Sequence, residues 1–529
     1  MGSKKLQTWI PFLFSIVMVL GMWIGYQLKA NTNGGVQFLT NAKTNSLQEV
    51  LNIIQKDYVD PVSIDSLRES AIEDMLSHLD PHSIYIPAKD LQGVNEEMQG
   101  NFQGIGIEFQ IFNDTVNVMS VIPGGPAYKA GMQAGDEILT VNDSIRLTGK
   151  NIKADDIKNS LRGPGNSTVK ITARRNDQIM SFRVQRGIIP LPSVDVAYMI
   201  APQTGYIHIN KFSETTYREF MSKLDSMQQK GMQKLILDLR GNGGGIVTEA
   251  TNIADEFLDD TKMIVYTKGD KVAPTEIRAI KDGLFEKGKL VILIDENSAS
   301  ATEILAGALQ DWDRATIIGR RSFGKGLVQQ QFPLSDGGAL RLTIARYYTP
   351  LGRSLQKSYA GGKDKYEEEV IDRFEDGEVV HGDTSQPIGK AFKTPGGHVV
   401  YDGGGITPDI FIPFDTASQP HAVILLYMKN TLNNFVYHYF LQHKNLFTAI
   451  KSPDDLMNQF KPGESEWNQL VSFAKKDTIN LDKIPASARI SLLEKMQALM
   501  ARQLWRTQGF YEVDNHYDPT VQKALEITK

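Results

Sequence analysis

Cysteine is absent from all 529 residues. That excludes disulfides, thiolate metal sites, a cysteine nucleophile and a lipid-modified cysteine. It also suits an oxidising compartment, where a free thiol is a liability. No long basic run and no acidic tail occur, and the formal net charge is -5, so nothing calls for nucleic acid. His-Glu-x-x-His is missing, which leaves zinc hydrolysis unsupported, and Gly-x-Gly-x-x-Gly is missing, which leaves dinucleotide binding unsupported. The nine histidines offer no evident partner for a Ser-His-Asp arrangement. There is no internal repeat. With 41% apolar and 22% charged residues, the chain is ordinary globular protein, long enough for several domains.

What is present begins at the N-terminus. Lys4 and Lys5 precede a nearly uncharged run over residues 9–28, about the 20 residues that span a bilayer as a helix. The lysines should stay cytoplasmic and send the rest outward. A cleaved signal peptide is the rival reading. The run is long for one, and no small-x-small site stands around Lys29-Ala30-Asn31. The expectation is a single-pass anchor in the inner membrane, with the remainder periplasmic.

Apolar spacing predicts helices over 47–79, broken at Asp60-Pro61 and ended by Asp80-Pro81-His82-Ser83. From residue 100 short alternating runs and glycine turns take over. Gly104-Ile105-Gly106-Ile107 leads into the strand pattern at 116–121, followed by Pro123-Gly124-Gly125-Pro126-Ala127 and Gly135-Asp136-Glu137-Ile138-Leu139. These segments, in this order, resemble a PDZ domain. Amides around Gly104 and Gly106 would converge on a peptide C-terminal carboxylate, and the adjacent strand edge would pair with the peptide backbone. A strand bulge is the plain alternative.

After residue 186 the pattern becomes α/β. Apolar strands at 205–209, 234–239 and 290–294 alternate with helical stretches at 217–229 and 301–309. The charged, glycine-dotted stretch 361–397 reads as an exposed insertion. Beyond Asp415 the chain turns helical.

Two short stretches carry the chemistry. Asn297-Ser298-Ala299-Ser300-Ala301-Thr302-Glu303 puts a hydroxyl between small residues where a strand turns into a helix. Ser322-Phe323-Gly324-Lys325-Gly326-Leu327-Val328-Gln329 supplies a lysine 25 residues later and a glutamine four beyond it. A serine beside a lysine that can lose its proton makes a nucleophile without histidine. Such a lysine must titrate well below its ordinary value of about 10.4, and burial achieves that. Each residue has a plainer reading. Ser300 with Glu303 spells a capping box, Lys325 is compatible with a solvated surface site, and Gln329 with an ordinary strand position. Ser298 and Thr302 are rival hydroxyls. Gly319-x4-Gly324-Lys325 approaches a phosphate loop, but Gly326 stands where a magnesium-binding hydroxyl is required. The glycine loop 241–245 after a buried strand suits an oxyanion hole, and Asp238 with Arg240 reads as an ion pair fixing it.

Taken together, these motifs resemble the carboxyl-terminal processing, or tail-specific, protease family. The resemblance runs over about 45–413 and includes Tyr58-Val59-Asp60-Pro61, Leu79-Asp80-Pro81-His82-Ser83, Leu237-Asp238-Leu239-Arg240 and Gly405-Ile406-Thr407-Pro408-Asp409. It implies Ser300 as nucleophile, Lys325 as base and Gln329 as its partner. The oxyanion donors would be the amides of Ala301 and the Gly244-Gly245 pair. Gly243 departs from the family's usual Ser or Pro, which leaves the donating glycine open by one position. Thr302 stands where a serine is common.

The implied fold is multidomain α/β, a crotonase-like (ββα-repeat) protease core with an inserted PDZ domain and a C-terminal helical extension. The expected divisions are a cytoplasmic tip at 1–8, the anchor at 9–28, a helical segment at 45–95, the PDZ domain at 96–187, the core at 188–415 and the extension at 416–529. The expected partners are proteins with apolar C-terminal tails, held through Gly104, Ile105, Gly106 and Ile107, and the inner membrane. An adaptor or a second copy stays open. No metal or organic cofactor is expected. The rival class is an extracytoplasmic PDZ scaffold with a silent core, for which Ser300, Lys325 and Gln329 would be dispensable.

Overall fold

The structure, a computed structural model, describes residues 15, 17–23, 46–112, 114–149, 152–382 and 389–529. The expected tip at 1–8 and most of the expected span at 9–28 lie outside these. Residues 15 and 17–23 are helical, and among the described residues no helix is long and apolar enough to cross a membrane. The chain forms two compact units, Met1–Ile72 and Glu73–Lys529. The first holds the helix Ser46–Asp57 and the opening turns of Ile64–Ser77, interrupted near Asp60-Pro61 as expected.

The larger unit is built around a six-stranded sheet. Its order is Val194–Ala201, Thr204–Ile209, Lys234–Asp238, Lys289–Ile294, Thr316–Gly319 and Ile410–Phe411. The first pair is antiparallel and the rest are parallel. The central strands are apolar on both faces because both are covered. Ile207, Leu235, Leu237 and Ile292 pack with the helices Thr216–Gln229, Val247–Asp255 and Ala301–Asp311. Tyr206, Ile236, Val291, Leu293 and Ile318 face the other way and meet Val521 and Ala524 of the final helix, Pro519–Thr528. The C-terminal extension therefore supplies one layer of the core.

A buried ion pair fixes that layer. Asp238, at the end of its strand, takes hydrogen bonds from Arg240 Nη2 at 2.6 Å and from the Tyr206 hydroxyl at 2.7 Å. Arg240 Nη1 reaches Asp518 at 2.7 Å. Asp518 also caps the final helix, accepting from the amides of Thr520 and Val521. Burial alone would raise the Asp238 carboxyl, but Arg240 and the other donors hold it below its ordinary range.

A second sheet joins Ile84–Ile86, Ala339–Tyr348, Met263–Lys268 and Thr275–Arg278, with Leu327–Pro333 paired to Ala339–Tyr348. The PDZ region has five main strands ordered Ile107–Phe112, Thr115–Val121, Glu137–Val141, Thr168–Arg175 and Gln178–Gln185, with the helix Ala154–Leu161. It connects to the core through the paired strands Asn101–Gly104 and Gly187–Pro190. The extension from His421 is helical with its own apolar core, including Leu432, Val436, Leu456, Leu470 and Met496.

Among its described residues the stretch 361–397 is largely exposed, as expected, with a few buried contacts. It contains the helix Lys363–Glu375, whose Tyr366 and Arg373 are buried. Arg373 Nη1 donates to the Ser322 carbonyl at 2.9 Å, and the Tyr366 ring meets Phe323 edge-on. Lys363, Asp364, Lys365, Glu367 and Glu368 are exposed, while Arg373, together with Glu369 and Glu378 on Arg321, binds the back of the Ser322–Lys325 loop.

Replacing Arg240 with alanine would leave Asp238 buried and unpaired. The expected loss is about 3–5 kcal/mol in core stability, measured by urea denaturation followed by circular dichroism. A change under about 1 kcal/mol would show that the pair does not anchor the layer.

Candidate active site

Three loops meet at the carboxyl ends of adjacent parallel strands, the usual place for a site in such sheets. They follow Asp238, Ile294 and Gly319. They carry the glycines 241–245, the serine stretch and Lys325 respectively.

The serine loop distinguishes the three hydroxyls. Ser298 and Thr302 are 0% exposed, and both hydroxyls are committed. Ser298 Oγ donates to the Leu239 carbonyl at 2.8 Å, and Thr302 Oγ1 to the Asn242 carbonyl at 2.9 Å. Ser300 is partly exposed, and its hydroxyl makes no hydrogen bond to the described residues. Its backbone has φ 58° and ψ -117°, a region non-glycine residues seldom adopt and one that marks strain at functional turns. A capping serine is ordinarily extended and uses its hydroxyl. Here only half of the capping box forms. The Glu303 carboxylate accepts from the Ser300 amide at 2.9 Å.

Glu303 is the connector. It is fully buried, and burial raises its carboxyl above the ordinary value against the pull of its hydrogen bonds. Oε1 accepts from Ser322 Oγ at 2.5 Å and the Gly324 amide at 2.7 Å. Oε2 accepts from the Lys325 amide at 2.8 Å as well as from Ser300. The amide nitrogens of Ser300 and Lys325 therefore lie no more than 5.7 Å apart, the sum of 2.9 and 2.8 Å.

Lys325 Nζ donates to Gln329 Oε1 at 3.1 Å. Gln329 Nε2 donates in turn to the His82 carbonyl at 2.5 Å. Burial pushes the Lys325 ammonium below the ordinary lysine value and Arg341 adds to the push, while Glu303 and Asp80 oppose it. His82 is lowered to about 4 by burial, with Lys325 contributing, so its imidazole is neutral at physiological pH. Asp80 shapes this turn by accepting from the amides of His82 and Ser83 at 2.8 and 2.9 Å. The sequence marked Asp80-Pro81-His82-Ser83 as a helix stop and as part of the family pattern, without assigning it a place at the site. Its place in the family pattern was the available signal. No local pattern gave Glu303 its second role.

The glycine loop presses against Ser300. A Cβ on Gly244, whose φ is 97°, would stand 2.8 Å from the Ser300 Cβ and 2.7 Å from the Ala299 oxygen. One on Gly245 would lie 2.1 Å from the Phe212 oxygen. Only glycine permits this approach. Asn242, buried and missed in the sequence, holds the loop: Oδ1 accepts from the Gly244 amide at 2.8 Å, and its carbonyl accepts from the Ala299 amide at 3.0 Å. The Gly244 amide is thereby occupied. Those of Ala301 and Gly245 have no acceptor among the described residues.

In the PDZ region Gly104 ends its strand, Ile105 sits in the apolar core, Gly106 has φ 79° and Ile107 opens the outermost strand. The amides of Ile105 and Gly106 have no acceptor among the described residues. Asp136 is fully buried and tied to Arg175 at 2.5 and 2.7 Å, a structural role. His208 pairs with Asp195 at 2.6 Å on the sheet itself. No group of acidic residues and histidines among the described residues forms a metal cluster.

Residues 203–367 match Peptidase family S41, residues 118–175 a PDZ domain and residues 423–506 a family of unknown function. A carboxy-terminal-processing protease of Bartonella bacilliformis is 37% identical over 315 residues, covering 58% of this chain and 71% of that protein. A probable CtpA-like serine protease of Staphylococcus aureus is 34% identical over 350 residues, covering 65% and 68%. The solved photosystem II D1 C-terminal processing protease is 25% identical, with 70% of this chain and 87% of that one covered and a TM-score of 0.35. The family matches and the two curated relatives define a serine-type peptidase with a PDZ domain. The chain belongs to the carboxy-terminal-processing proteases of peptidase family S41.

Glu303→Ala would strand four donors, two buried and two partly buried. At about 1–3 kcal/mol for each unsatisfied group, with water relieving some, the expected loss is about 3 kcal/mol or more in a urea titration. Glu303→Gln should restore part of the stability and little of the activity. Equal activity in Glu303→Gln and wild type would remove the carboxylate from the site's assembly.

Proposed function

We propose that this chain is a serine endopeptidase working through Ser300 and Lys325. The observation that carries the reading is the Glu303 carboxylate, which binds the backbone of both residues while, among the described residues, the Ser300 hydroxyl alone of the three in its loop has no partner. Neutral Lys325 takes the Ser300 proton as Oγ bonds to the scissile carbonyl carbon. The resulting ammonium then protonates the departing amine as the C–N bond breaks. Water, deprotonated by the same lysine, releases the acyl group and regenerates the serine. Gln329 orients the amine without adding charge. The open amides of Ala301 and Gly245 suit the oxyanion, and Gly244, occupied by Asn242, holds the loop against Ser300. No step calls on a metal or organic cofactor.

Tail recognition falls to the PDZ domain, with the carboxylate at the amides of Ile105 and Gly106 and the peptide along Ile107–Phe112. Substrates are proteins with apolar C-termini. The mixed six-stranded sheet with its crossover helices favours a crotonase-like core. The charge pattern around residues 9–28 supports a single-pass anchor with the catalytic part outside the cytoplasm.

A protein ending in an apolar tail should be cleaved by the wild type and lose about 10³-fold or more in rate with Ser300→Ala or Lys325→Ala. Gln329→Ala should retain partial activity. Tail binding without turnover by the wild type would instead favour the silent scaffold, and cleavage surviving Ser300→Ala would sink the assignment of the nucleophile.

The pH profile tests the base. Activity should rise with pH as Lys325 loses its proton, with a midpoint below the ordinary lysine value of about 10.4. Arg341 disfavours the ammonium, so Arg341→Gln should raise the lysine pKa and move the limb to higher pH. A limb that stays put or moves down would exclude Lys325 as the titrating group.

A further inference from the structure

The PDZ groove is walled on its outer side by the C-terminal extension. The strand Ile107–Phe112 is the edge of its sheet, paired only with Thr115–Val121. Glu108 and Gln110 of this strand share a cavity of about 550 Å³ with Lys158 of the helix Ala154–Leu161 and with Asn433, Arg502 and Gln503 of the extension. A tail lying along the strand would thus touch both domains.

The extension reaches this groove through a break in its longest helix. Ala486–Tyr517 loses helical geometry at Trp505 and at Arg506, where φ is 58° and ψ is -149°. That conformation is costly for any residue but glycine. It delivers Arg506 to the groove strand, where Nη2 donates to Glu108 Oε1 at 2.6 Å. Arg502 Nη2 stands 3.9 Å from Glu108 Oε2. Two guanidiniums therefore face one carboxylate, while Lys158, which lines the same cavity, is paired with Asp155 at 3.2 Å. Two buried polar atoms have no partner among the described residues: Oγ of Ser120, which lines the cavity, and Nη1 of Arg506, which meets the cavity through Glu108. Ser120 is directly opposite Glu108 in the sheet register. Buried unpaired donors beside an excess of positive charge call for an incoming acceptor.

We propose that the C-terminal extension completes the tail groove, and that Arg502 and Arg506 select tails carrying Asp or Glu shortly before an apolar terminus. This rests on the tail-binding reading of the PDZ domain given above. With the terminal carboxylate at Ile105 and Gly106, and strands rising about 3.3 Å per residue, the acidic side chain falls about two to four positions before the end.

The test uses the full chain made inert by Ser300→Ala and short fluorescent peptides ending in Val-Ala, read by anisotropy. The peptides differ by Asp, Ala or Lys at the third position from the end, and each is made with a free carboxylate and as a carboxamide. The Asp peptide should bind about fivefold or more tighter than the Lys peptide. Arg502→Ala and Arg506→Ala should bring that ratio toward one while the Ala peptide keeps its affinity within about twofold. Arg506→Gly removes the side chain and relieves the backbone strain together, so it gives the same readout if Arg506→Ala folds poorly. Glu108→Gln should increase the preference for Asp. A ratio unmoved by the arginine variants, with the free carboxylate still required, overturns this inference alone. Equal binding of carboxylate and carboxamide peptides, or no binding, overturns the tail-binding reading and this one with it.

Discussion

One buried carboxylate holds the site together. Glu303 starts a helix whose every residue is buried, and its two oxygens receive the backbone of the serine loop on one side and of the lysine loop on the other. A carboxylate offers about four lone-pair sites, and four donors converge on this one. Each donor left bare in a low dielectric would cost more than a hydrogen bond ordinarily gains. The cluster therefore forms as a whole or fails as a whole, and the separation between the Ser300 and Lys325 backbones is set by two bonds instead of by loop conformation.

The surrounding structure serves that arrangement at longer range. The parallel strands place three loops side by side, and Asn242 joins the first to the second by accepting from Gly244 and Ala299. Behind them, Ser322 Oγ also accepts from the Ile406 amide at 2.6 Å, which draws the Gly405-Ile406-Thr407-Pro408-Asp409 stretch against the lysine loop. The helix Lys363–Glu375 closes the rear through Arg373. On the opposite face of the sheet, Arg240 links the strand end preceding the glycine loop to Asp518 of the last helix. The extension is thus continuous with the catalytic core on one side and with the PDZ groove on the other.

Much of this was legible in the residues. Alternation and apolar runs gave the strands at 205–209, 234–239 and 290–294, because side chains on a covered sheet must be apolar on both faces. Ser300, Lys325 and Gln329 stood out because their types and spacing suit one chemistry. Glu303 was visible only as a helix cap, since its second set of bonds is to residues 19 to 22 positions away. Asn242 was lost among glycines, and the buried bonds of Arg373 within the largely exposed stretch 361–397 were not legible because their partner lies 51 positions away.

The sequence by itself determined the element types, the order of the domains and the chemical groups available, all of which rest on local periodicity and composition. Only the tertiary structure decided which of three neighbouring hydroxyls is left unbonded, which carboxylate joins the serine to the lysine, and that the C-terminal helices reach both the core sheet and the PDZ groove. Those outcomes depend on burial and on bonds closed across long stretches of chain, and no local pattern encodes where such bonds end.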